Sequence, residues 1–249
     1  MKVLVSNDDG IFSPGILALA LAMSEIADEV AMVAPDVEQS ASGHAITVRH
    51  PLRYTATKLE NLPDNVKAYR VDGTPADCVV LGVHNAFRPD VVVSGINLGS
   101  NLGYDITHSG TVAAAMEGTT MGIPSVAFSL RTGESELNFS HAASFAKQLI
   151  PEVAKRGLPA RTFLNVNFPV GKPKDVRLAR QSTHSWEDSV IKREDPNGQD
   201  YYWIAGKPTG SDEPDSDYIA VSQGYACITP LHLDMTHSSF FANLADYLE

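Results

Sequence analysis

Two adjacent carboxylates follow the first apolar run of the chain, where Val3 to Val5 leads within a few residues to Asp8 and Asp9. The order of strand, polar turn and helix, with the helix starting near Pro14, places both carboxylates at the carboxyl edge of a sheet. Open α/β folds bind their ligands at that edge. Two carboxylates about 4 Å apart repel each other by about 4 kcal/mol at an effective dielectric constant near 20. A divalent cation removes that repulsion, so the pair predicts a Mg²⁺ or Mn²⁺ site, with a solvated acidic turn as the alternative.

The elements that position this pair follow from the apolar pattern of the first half of the chain, where short β-branched runs alternate with helical patterns. Strands are expected over Lys2 to Ser6, Glu29 to Ala34, Asp90 to Ser94 and Pro124 to Ser129, and helices over Pro14 to Ile26, Thr74 to Asn85, Val112 to Met121 and Phe139 to Arg156. The strand runs are apolar without alternation, as in strands covered on both faces. The pattern predicts a Rossmann-like α/β fold, with a doubly wound, mainly parallel sheet.

The rest of the chain shows shorter patterns. Ala45 to Arg49 and Val66 to Val71 are expected to form a β extension, Ser211 to Asp217 a solvated acidic connector, Tyr225 to Thr229 a strand and Ser238 to Leu248 a short terminal helix. We treat residues 1–249 as a single α/β domain. Its catalytic core covers roughly 1–170, and 171–249 hold a hairpin and a C-terminal oligomerisation part.

A long hairpin is predicted where Asp195-Pro196-Asn197-Gly198 interrupts the alternating polar and apolar residues of Trp186 to Ile204. Asn-Gly is among the strongest short-range hairpin signals. The second arm carries Tyr201, Tyr202 and Trp203, and too little chain surrounds them to bury all three rings. We therefore expect the hairpin to dock on another subunit in a homodimer or homotetramer.

Composition limits the function classes. The net charge of -11 argues against a nucleic-acid polymer as partner, because such binding needs clustered Lys and Arg. The same charge repels a small phosphorylated substrate, which therefore needs a local positive centre such as a bound metal. The only two cysteines, Cys78 and Cys227, are expected to be buried spacers. No secretory signal or apolar stretch of about 20 residues is seen, so a cytoplasmic location without membrane contact is expected.

Further oxygen ligands are expected in two loops that follow strand ends. The loop after the second strand carries Ser40 and Ser42, and the Gly-rich loop after Val93 carries Asn97 and Asn101. Parallel strands share their carboxyl edge, so a hydroxyl and an amide oxygen come close to the acidic pair. Oxygen-only ligation suits a hard cation. The residues alone leave open which Ser and which Asn ligates, and turn chemistry explains each one singly.

A candidate anion site is formed by His108-Ser109-Gly110-Thr111 at the start of a small-residue helix. Ser109 is suited to cap that helix, and the free N–H groups of Gly110, Thr111 and Val112 would point at a phosphate. A cap without a ligand is the alternative. The chain lacks both the GxxxxGK[ST] loop and the GxGxxG fingerprint, which disfavours nucleoside-triphosphate and dinucleotide chemistry.

These segments, in this order, resemble the motif set of the SurE survival-protein family over nearly the whole chain. The matching strings are Val5-Ser6-Asn7-Asp8-Asp9-Gly10, Ala34-Pro35-Asp36, Ser40-Ala41-Ser42-Gly43-His44, Gly73-Thr74-Pro75-Ala76-Asp77-Cys78, Val93-Ser94-Gly95-Ile96-Asn97, His108-Ser109-Gly110-Thr111-Val112 and Gly224-Tyr225-Ala226-Cys227-Ile228-Thr229-Pro230-Leu231. Ser6 is a mild departure, since the family often has Thr there.

The resemblance implies a metal-dependent 5'-nucleotidase acting on nucleoside monophosphates, and an oligomer built through the hairpin and the C-terminal segment. It carries the metal ligands over to Asp8, Asp9, Ser40 and Asn97. It also assigns phosphate contacts to Ser109, Gly110 and Thr111.

The mechanism expected from these residues is hydrolysis of a phosphomonoester by metal-activated water, with Asp8, Asn97 and Ser109 as the catalytic set. Asn7 and Gly43 are candidates to line the same phosphate-binding space. His108 is a candidate donor to the leaving alkoxide, with a structural role as the alternative.

Other functions stay open at this point. One is a broader phosphomonoester or polyphosphate phosphatase. Another is an enzyme with Asp8 as a covalent nucleophile, although aspartyl-phosphate phosphatases usually separate their two leading Asp residues by one position. A third is a non-catalytic, receiver-like module that binds metal and phosphate. Such a module is about half the length of this chain, and the Ser109 loop would be unexplained.

Overall fold

The structure, a computed structural model, describes residues 1–133, 137–209, 213–241 and 244–247. The strands are β1 (Lys2–Ser6), β2 (Glu29–Pro35), β3 (Tyr54–Thr57), β4 (Val66–Val71), β5 (Val91–Leu98), β6 (Ser125–Leu130), β7 (Thr162–Phe168), β8 (Val176–Leu178), β9 (Ser185–Glu194), β10 (Asp200–Thr209) and β11 (Ala226–His232). The α-helices are α1 (Pro14–Ser24), α2 (Pro75–Asn85), α3 (Gly110–Thr120), α4 (Ser140–Arg156), α5 (Asp217–Ser222) and α6 (Ser238–Phe241), with 3-10 helices at Gly103–Thr107 and Leu244–Tyr247.

The main sheet has nine strands in the order β3-β4-β2-β1-β5-β6-β7-β11-β8. Six neighbouring strands of this sheet run parallel, namely β4, β2, β1, β5, β6 and β7. Strand β3 runs antiparallel to β4, and β11 runs antiparallel to β7. The predicted mainly parallel α/β sheet is confirmed. Strand β1 pairs with β2 on one side and with β5 on the other, so the chain moves outward in one direction and then returns to build the other half. The carboxyl ends of β1 and β5 therefore form the topological switch point.

Both faces of this sheet are covered, which explains the uninterrupted apolar strands. Val3 and Val5 pack in the cluster that contains Leu19 of α1 and buried residues of α4. Leu4 points the other way and packs in the cluster that contains Val79 of α2 and a buried alanine of α3. Successive strand residues alternate between two apolar layers, so no polar face is needed.

The expectation of a β segment at Ala45 to Arg49 is wrong. In the structure its backbone bonds to the cap of α2, since Thr74 Oγ1 donates to the Ala45 carbonyl and Thr47 N donates to Asp77 Oδ1. Because side chains occupy the Ala45 carbonyl and the Thr47 N–H, this segment does not pair with a strand of the described residues. The edge strand lies further along, at β3, which pairs with β4. The expected strand at Val66 to Val71 is confirmed as β4.

The predicted hairpin is confirmed as a two-stranded sheet of β9 and β10, separate from the main sheet. Its side chains are largely exposed, including Tyr202, Trp203 and Ile204. Strands β8 and β11 continue the main sheet beyond residue 170, so that sheet extends past the expected core. Parts of the expected connector at Ser211 to Asp217 and of the expected helix at Ser238 to Leu248 lie outside the described residues.

Both cysteines are buried and are not disulfide-bonded. Among the helices of the described residues, none combines the length and apolar character needed to cross a bilayer.

Candidate metal and phosphate site

The turn after β1 is held by Asn7, which is fully buried. Its Nδ2 donates to the Gly10 carbonyl at 3.1 Å and to Ser13 Oγ at 2.8 Å, while its Oδ1 accepts from Gly10 N at 3.2 Å. Ser13 in turn caps α1. Asn7 therefore fastens the turn to the first helix and fixes the backbone from which Asp8 and Asp9 project. Its expected contact with phosphate stays a prediction.

Asp8 lies against the first turn of α3 and is 4% exposed. The hydroxyl of Thr111 donates to Asp8 Oδ1. A Cβ atom on Gly110 would stand 2.7 Å from the Cβ of Asp8, so only glycine allows this approach. Burial raises the pKa of Asp8, and hydrogen bonds from Thr111 and from the backbone of Gly110 oppose that rise. The helix N-terminus and the first carboxylate thus form one unit.

Asp9 contacts the neighbouring strand β5, because the backbone N–H of Leu98 donates to Asp9 Oδ2 at 3.2 Å. Burial and the charge of Asp8 raise the pKa of Asp9 to about 6. Asn97, the residue before Leu98, donates from Nδ2 to the Gly99 carbonyl at 2.9 Å. Its amide oxygen is therefore the atom suited to ligate a cation. The structure brings Asp9 and Asn97 to the same end of adjacent strands.

Asn101, the other candidate of that loop, has a structural role. It is buried, donates from Nδ2 to Ser129 Oγ at 2.8 Å, and its carbonyl accepts from the amides of Asn165 and Asn167 at 2.9 and 3.1 Å. These bonds anchor the Gly-rich loop to β6 and β7. Between the two asparagines, the geometry favours Asn97 as the ligand.

The serine loop lies against the same turn. Gln39 N donates to the Asp8 carbonyl at 2.8 Å, which places the following Ser40 beside the pair. Ser40 is exposed, and its hydroxyl donates to Glu38 Oε1 at 2.6 Å. The Oγ of Ser42 is buried, has no hydrogen-bond partner among the described residues, and lies 2.9 Å from where a Cβ on Gly110 would stand. Ser42 therefore packs on the helix N-terminus, while Ser40 stays accessible at the rim.

Two further contacts fasten this loop to the phosphate segment. Gly43, with a φ of 57°, donates its N–H to the His108 carbonyl at 2.9 Å. His44 Nε2 lies 2.8 Å from Oε2 of Glu117, a carboxylate of α3 that is 6% exposed. Neither His44 nor Glu117 was expected to have a role from the sequence. The available signal was a lone acidic residue within the otherwise small and apolar helix α3.

Ser109 caps α3, since its Oγ accepts from Val112 N at 3.1 Å. The helix expected over Val112 to Met121 is present and begins two residues earlier, at Gly110, directly after the expected cap. The backbone N–H groups of Gly110 and Thr111 interact with the Asp8 carboxylate and stabilise its charged form. His108 is exposed and immediately precedes the cap.

The residues present fit a hard divalent cation. Asp8 is buried and Asp9 is half-buried within reach of its charge, yet no Lys, Arg or His within the described ranges forms an ion pair with either. Such a pair is costly unless a cation neutralises it. No cluster of three His, Cys, Asp or Glu occurs in the part of the chain that is described. The donor set is instead two carboxylates, a hydroxyl and an amide, all oxygens.

Comparison with known proteins identifies the family. The family model described as survival protein SurE matches residues 3–188. The chain belongs to the SurE family. A relative named 5'-nucleotidase SurE 1, from Thermus thermophilus, is 57% identical over 249 residues, which cover 100% of this chain and 98% of the relative. The 5'-nucleotidase SurE of Deinococcus radiodurans is 56% identical over 250 residues, covering 99% and 92%.

A solved SurE structure has the same fold. The crystal structure of SurE protein from Aquifex aeolicus superposes with a TM-score of 0.83 at 40% sequence identity, and each chain is covered completely. The family resemblance drawn from the motifs is therefore confirmed. Within this SurE chain, the fold brings together the turn of Asp8 and Asp9, the loop of Ser40, the end of β5 at Asn97 and the N-terminus of α3. The ligand and phosphate roles of these residues stay predictions.

Proposed function

We propose that this SurE-family chain is a 5'-nucleotidase that hydrolyses nucleoside 5'-monophosphates to nucleoside and phosphate. The names of its full-length relatives support this activity. One observation carries the proposal at the level of the site. The buried carboxylate of Asp8 and the half-buried carboxylate of Asp9 form no ion pair with a basic side chain in the described residues, and the N-terminus of α3 meets Asp8 at the switch point of the sheet.

The metal ligands are proposed to be Asp8, Asp9, Ser40 and Asn97, with Mg²⁺ or Mn²⁺ as the cation. When bound, the cation polarises the phosphoryl group and supplies an activated water. Asp8 and Asp9 provide the negative charge that retains it. Asn97 contributes a neutral amide oxygen from the adjacent strand, and Ser40 a hydroxyl from the rim.

The N-terminus of α3 binds the phosphoryl group in this proposal. The backbone N–H groups of Gly110 and Thr111 and the hydroxyl of Ser109 hold its oxygens, where the helix dipole favours negative charge. The helix fixes the direction of these donors before the substrate arrives, and the two N–H groups are shared between the Asp8 carboxylate and the phosphoryl oxygens. Gly43 keeps the serine loop against the same segment through its bond to the His108 carbonyl. His108 is a candidate to protonate the leaving alkoxide because it is exposed beside the cap.

Assembly as a homodimer or homotetramer is proposed from the hairpin. Tyr202, Trp203 and Ile204 are 59%, 60% and 85% exposed in the single chain. Contiguous apolar side chains at such exposure are typical of an interface between subunits. A second copy of this chain would cover them.

The activity is tested by phosphate release from adenosine 5'-monophosphate with added Mg²⁺ or Mn²⁺. The expected result is multiple-turnover release of equal amounts of adenosine and phosphate, with a loss of at least about a hundredfold in Asp8→Asn, which weakens the cation site. Asp36→Asn is the matched control, since Asp36 is an exposed carboxylate that directly follows β2, the strand beside β1. Saturable binding of the nucleotide without release would contradict the proposal and indicate a binding module instead.

A further inference from the structure

A pocket of about 440 Å³ lies between the 3-10 helix Gly103–Thr107 and the base of the hairpin. Tyr104, Asp105 and His108 line it from the 3-10 helix and its cap, and Trp186, Ala205 and Gly206 line it from the hairpin. Its volume lies in the range of sites for small organic ligands, about 300 to 1,000 Å³. The catalytic roles assigned above do not use this pocket, apart from His108 at its border.

The pocket has two aromatic residues that a single chain leaves partly uncovered. Tyr104 is 52% exposed and Trp186 is 47% exposed. The indole is nevertheless held in place, because Nε1 of Trp186 donates to Oδ1 and Oδ2 of Asp105 at 3.0 and 3.2 Å. Tyr104 N donates to the His184 carbonyl at 2.9 Å, which ties the 3-10 helix to the start of β9. The walls are therefore positioned without a ligand.

Gly206 lies close against the strand that carries the indole. A Cβ atom there would stand 3.2 Å from the Cβ of Trp186 and 3.0 Å from the carbonyl oxygen of Glu187. A larger residue would press on the strand that carries the indole.

The pocket is joined directly to the phosphate segment. The Asp105 carbonyl accepts from His108 N at 3.0 Å and from Ser109 N at 3.1 Å. Asp105 therefore fixes the indole with its side chain and the helix cap with its backbone. His108 lines the pocket and lies one residue before the cap, a step of about 3.8 Å between Cα atoms. A ligand with its phosphoryl group at the cap would extend its remaining part past His108 toward the two aromatic rings.

Given the proposed nucleotidase function, we propose that this pocket is the nucleobase subsite, in which the base of a nucleoside monophosphate contacts the ring faces of Tyr104 and Trp186. Stacking on aromatic side chains accepts any base, because every base has a π-face. The carboxylate of Asp105 disfavours anionic groups in the same space. The subsite therefore selects nucleoside monophosphates over phosphomonoesters that lack a base.

The first test compares two substrates, adenosine 5'-monophosphate and ribose 5-phosphate, which differ by the base. Tyr104→Ala and Trp186→Ala are expected to lower kcat/KM for the nucleotide about tenfold or more and to change kcat/KM for ribose 5-phosphate less than about twofold. Trp186→Phe keeps a ring and is expected to retain most of the preference. Trp203→Phe is the matched control, because Trp203 lies outside the pocket and the substitution keeps an aromatic ring at the proposed subunit interface.

Equal losses for both substrates would overturn the subsite while leaving the nucleotidase proposal in place. A preference for the nucleotide that persists unchanged in Tyr104→Ala and Trp186→Ala would overturn it as well.

A binding measurement tests the subsite independently of turnover. The chain has two tryptophans, so Trp203→Phe leaves Trp186 as the only indole. In this variant, adenosine, which has the base but no phosphate, is expected to quench the emission of Trp186 saturably, whereas ribose leaves it unchanged. Absence of quenching by adenosine, or equal quenching by both compounds, would contradict the proposal whether or not the protein is active.

Discussion

The substitution Asp9→Asn is expected to make the metal-free protein more stable at neutral pH. Burial and the charge of Asp8 raise the pKa of Asp9 from 3.8 to about 6. Between these two pH values the folded state binds more protons than the unfolded state, so the free energy of unfolding falls as the pH rises. The shift corresponds to about 3 kcal/mol at about 1.4 kcal/mol per unit, and partial solvent exposure reduces this to about 1 to 2 kcal/mol.

An amide at position 9 can still accept the hydrogen bond from Leu98 N, which the Asp9 carboxylate accepts at 3.2 Å. The substitution therefore removes mainly the charge. In urea unfolding with a chelator, the curves of wild type and Asp9→Asn are expected to coincide near pH 4 and to separate by about 1 to 2 kcal/mol near pH 8, with the variant more stable.

Added Mg²⁺ is expected to reverse that order. A cation that binds only the folded state stabilises it by about 2.7 kcal/mol at a hundredfold excess over its Kd. Wild type would gain this stabilisation and Asp9→Asn far less of it. Asp36→Asn, at an exposed carboxylate, serves as the control in both conditions. A variant that is less stable than wild type in chelator at pH 8, or one that gains as much from Mg²⁺, would refute the reasoning.

Other substitutions separate the parts of the site. Ser109→Ala should lower turnover while calorimetric metal affinity stays near wild type; loss of metal binding would show that the cap is wrongly assigned. Gly110→Ala should lower both turnover and metal affinity, because the Cβ of the new alanine would stand 2.7 Å from the Cβ of Asp8. Unchanged metal affinity would contradict that packing. Deletion of residues 188–205 should lower the mass measured by sedimentation, and an unchanged mass would exclude the hairpin as the interface. Acid-quenched protein should carry no phosphate on Asp8 in mass spectra, whereas an adduct at turnover-competent levels would indicate a nucleophilic Asp8.

Local signals predicted the parts of the fold that depend on short stretches of chain. The uninterrupted apolar runs of β1 and β5 indicated strands covered on both faces, and the structure places them at the centre of the sheet. The start of α1 near Pro14 and the cap of α3 at Ser109 were predicted, because helix starts are decided within one turn. The hairpin followed from its Asn-Gly turn.

Strand β7 was not predicted because its polar residues resemble a loop. Asn165 and Asn167 are uncommon in strands, and here both are fully buried and bond to the backbone of Asn101. That bonding is visible only once β7 lies beside the Gly-rich loop. The segment at Ala45 to Arg49 was wrongly expected to be a strand for a similar reason, since the cap of α2 supplies its partners.

The candidate site was predictable as a set of residues but not as a set of contacts. Their positions at strand ends predicted that Asp8, Asp9 and Asn97 lie close together. In the structure they lie at the same end of the adjacent strands β1 and β5. The bond from Thr111 to Asp8 depends on how closely α3 packs, and therefore on the missing side chain of Gly110. The sequence pattern around Asp8 or around Gly110 does not indicate how close the two segments come.

The most direct test of a cation-dependent nucleotidase centred on Asp8 is reactivation of stripped protein. Wild-type protein treated with a chelator and then dialysed is assayed for phosphate release from adenosine 5'-monophosphate while Mg²⁺ or Mn²⁺ is added back. Release is expected to be absent after stripping and to return along the same saturation curve as calorimetric binding of the cation, whereas Asp8→Asn stays inactive over that range. Phosphate release that survives stripping unchanged, or that returns equally in Asp8→Asn, would contradict the account.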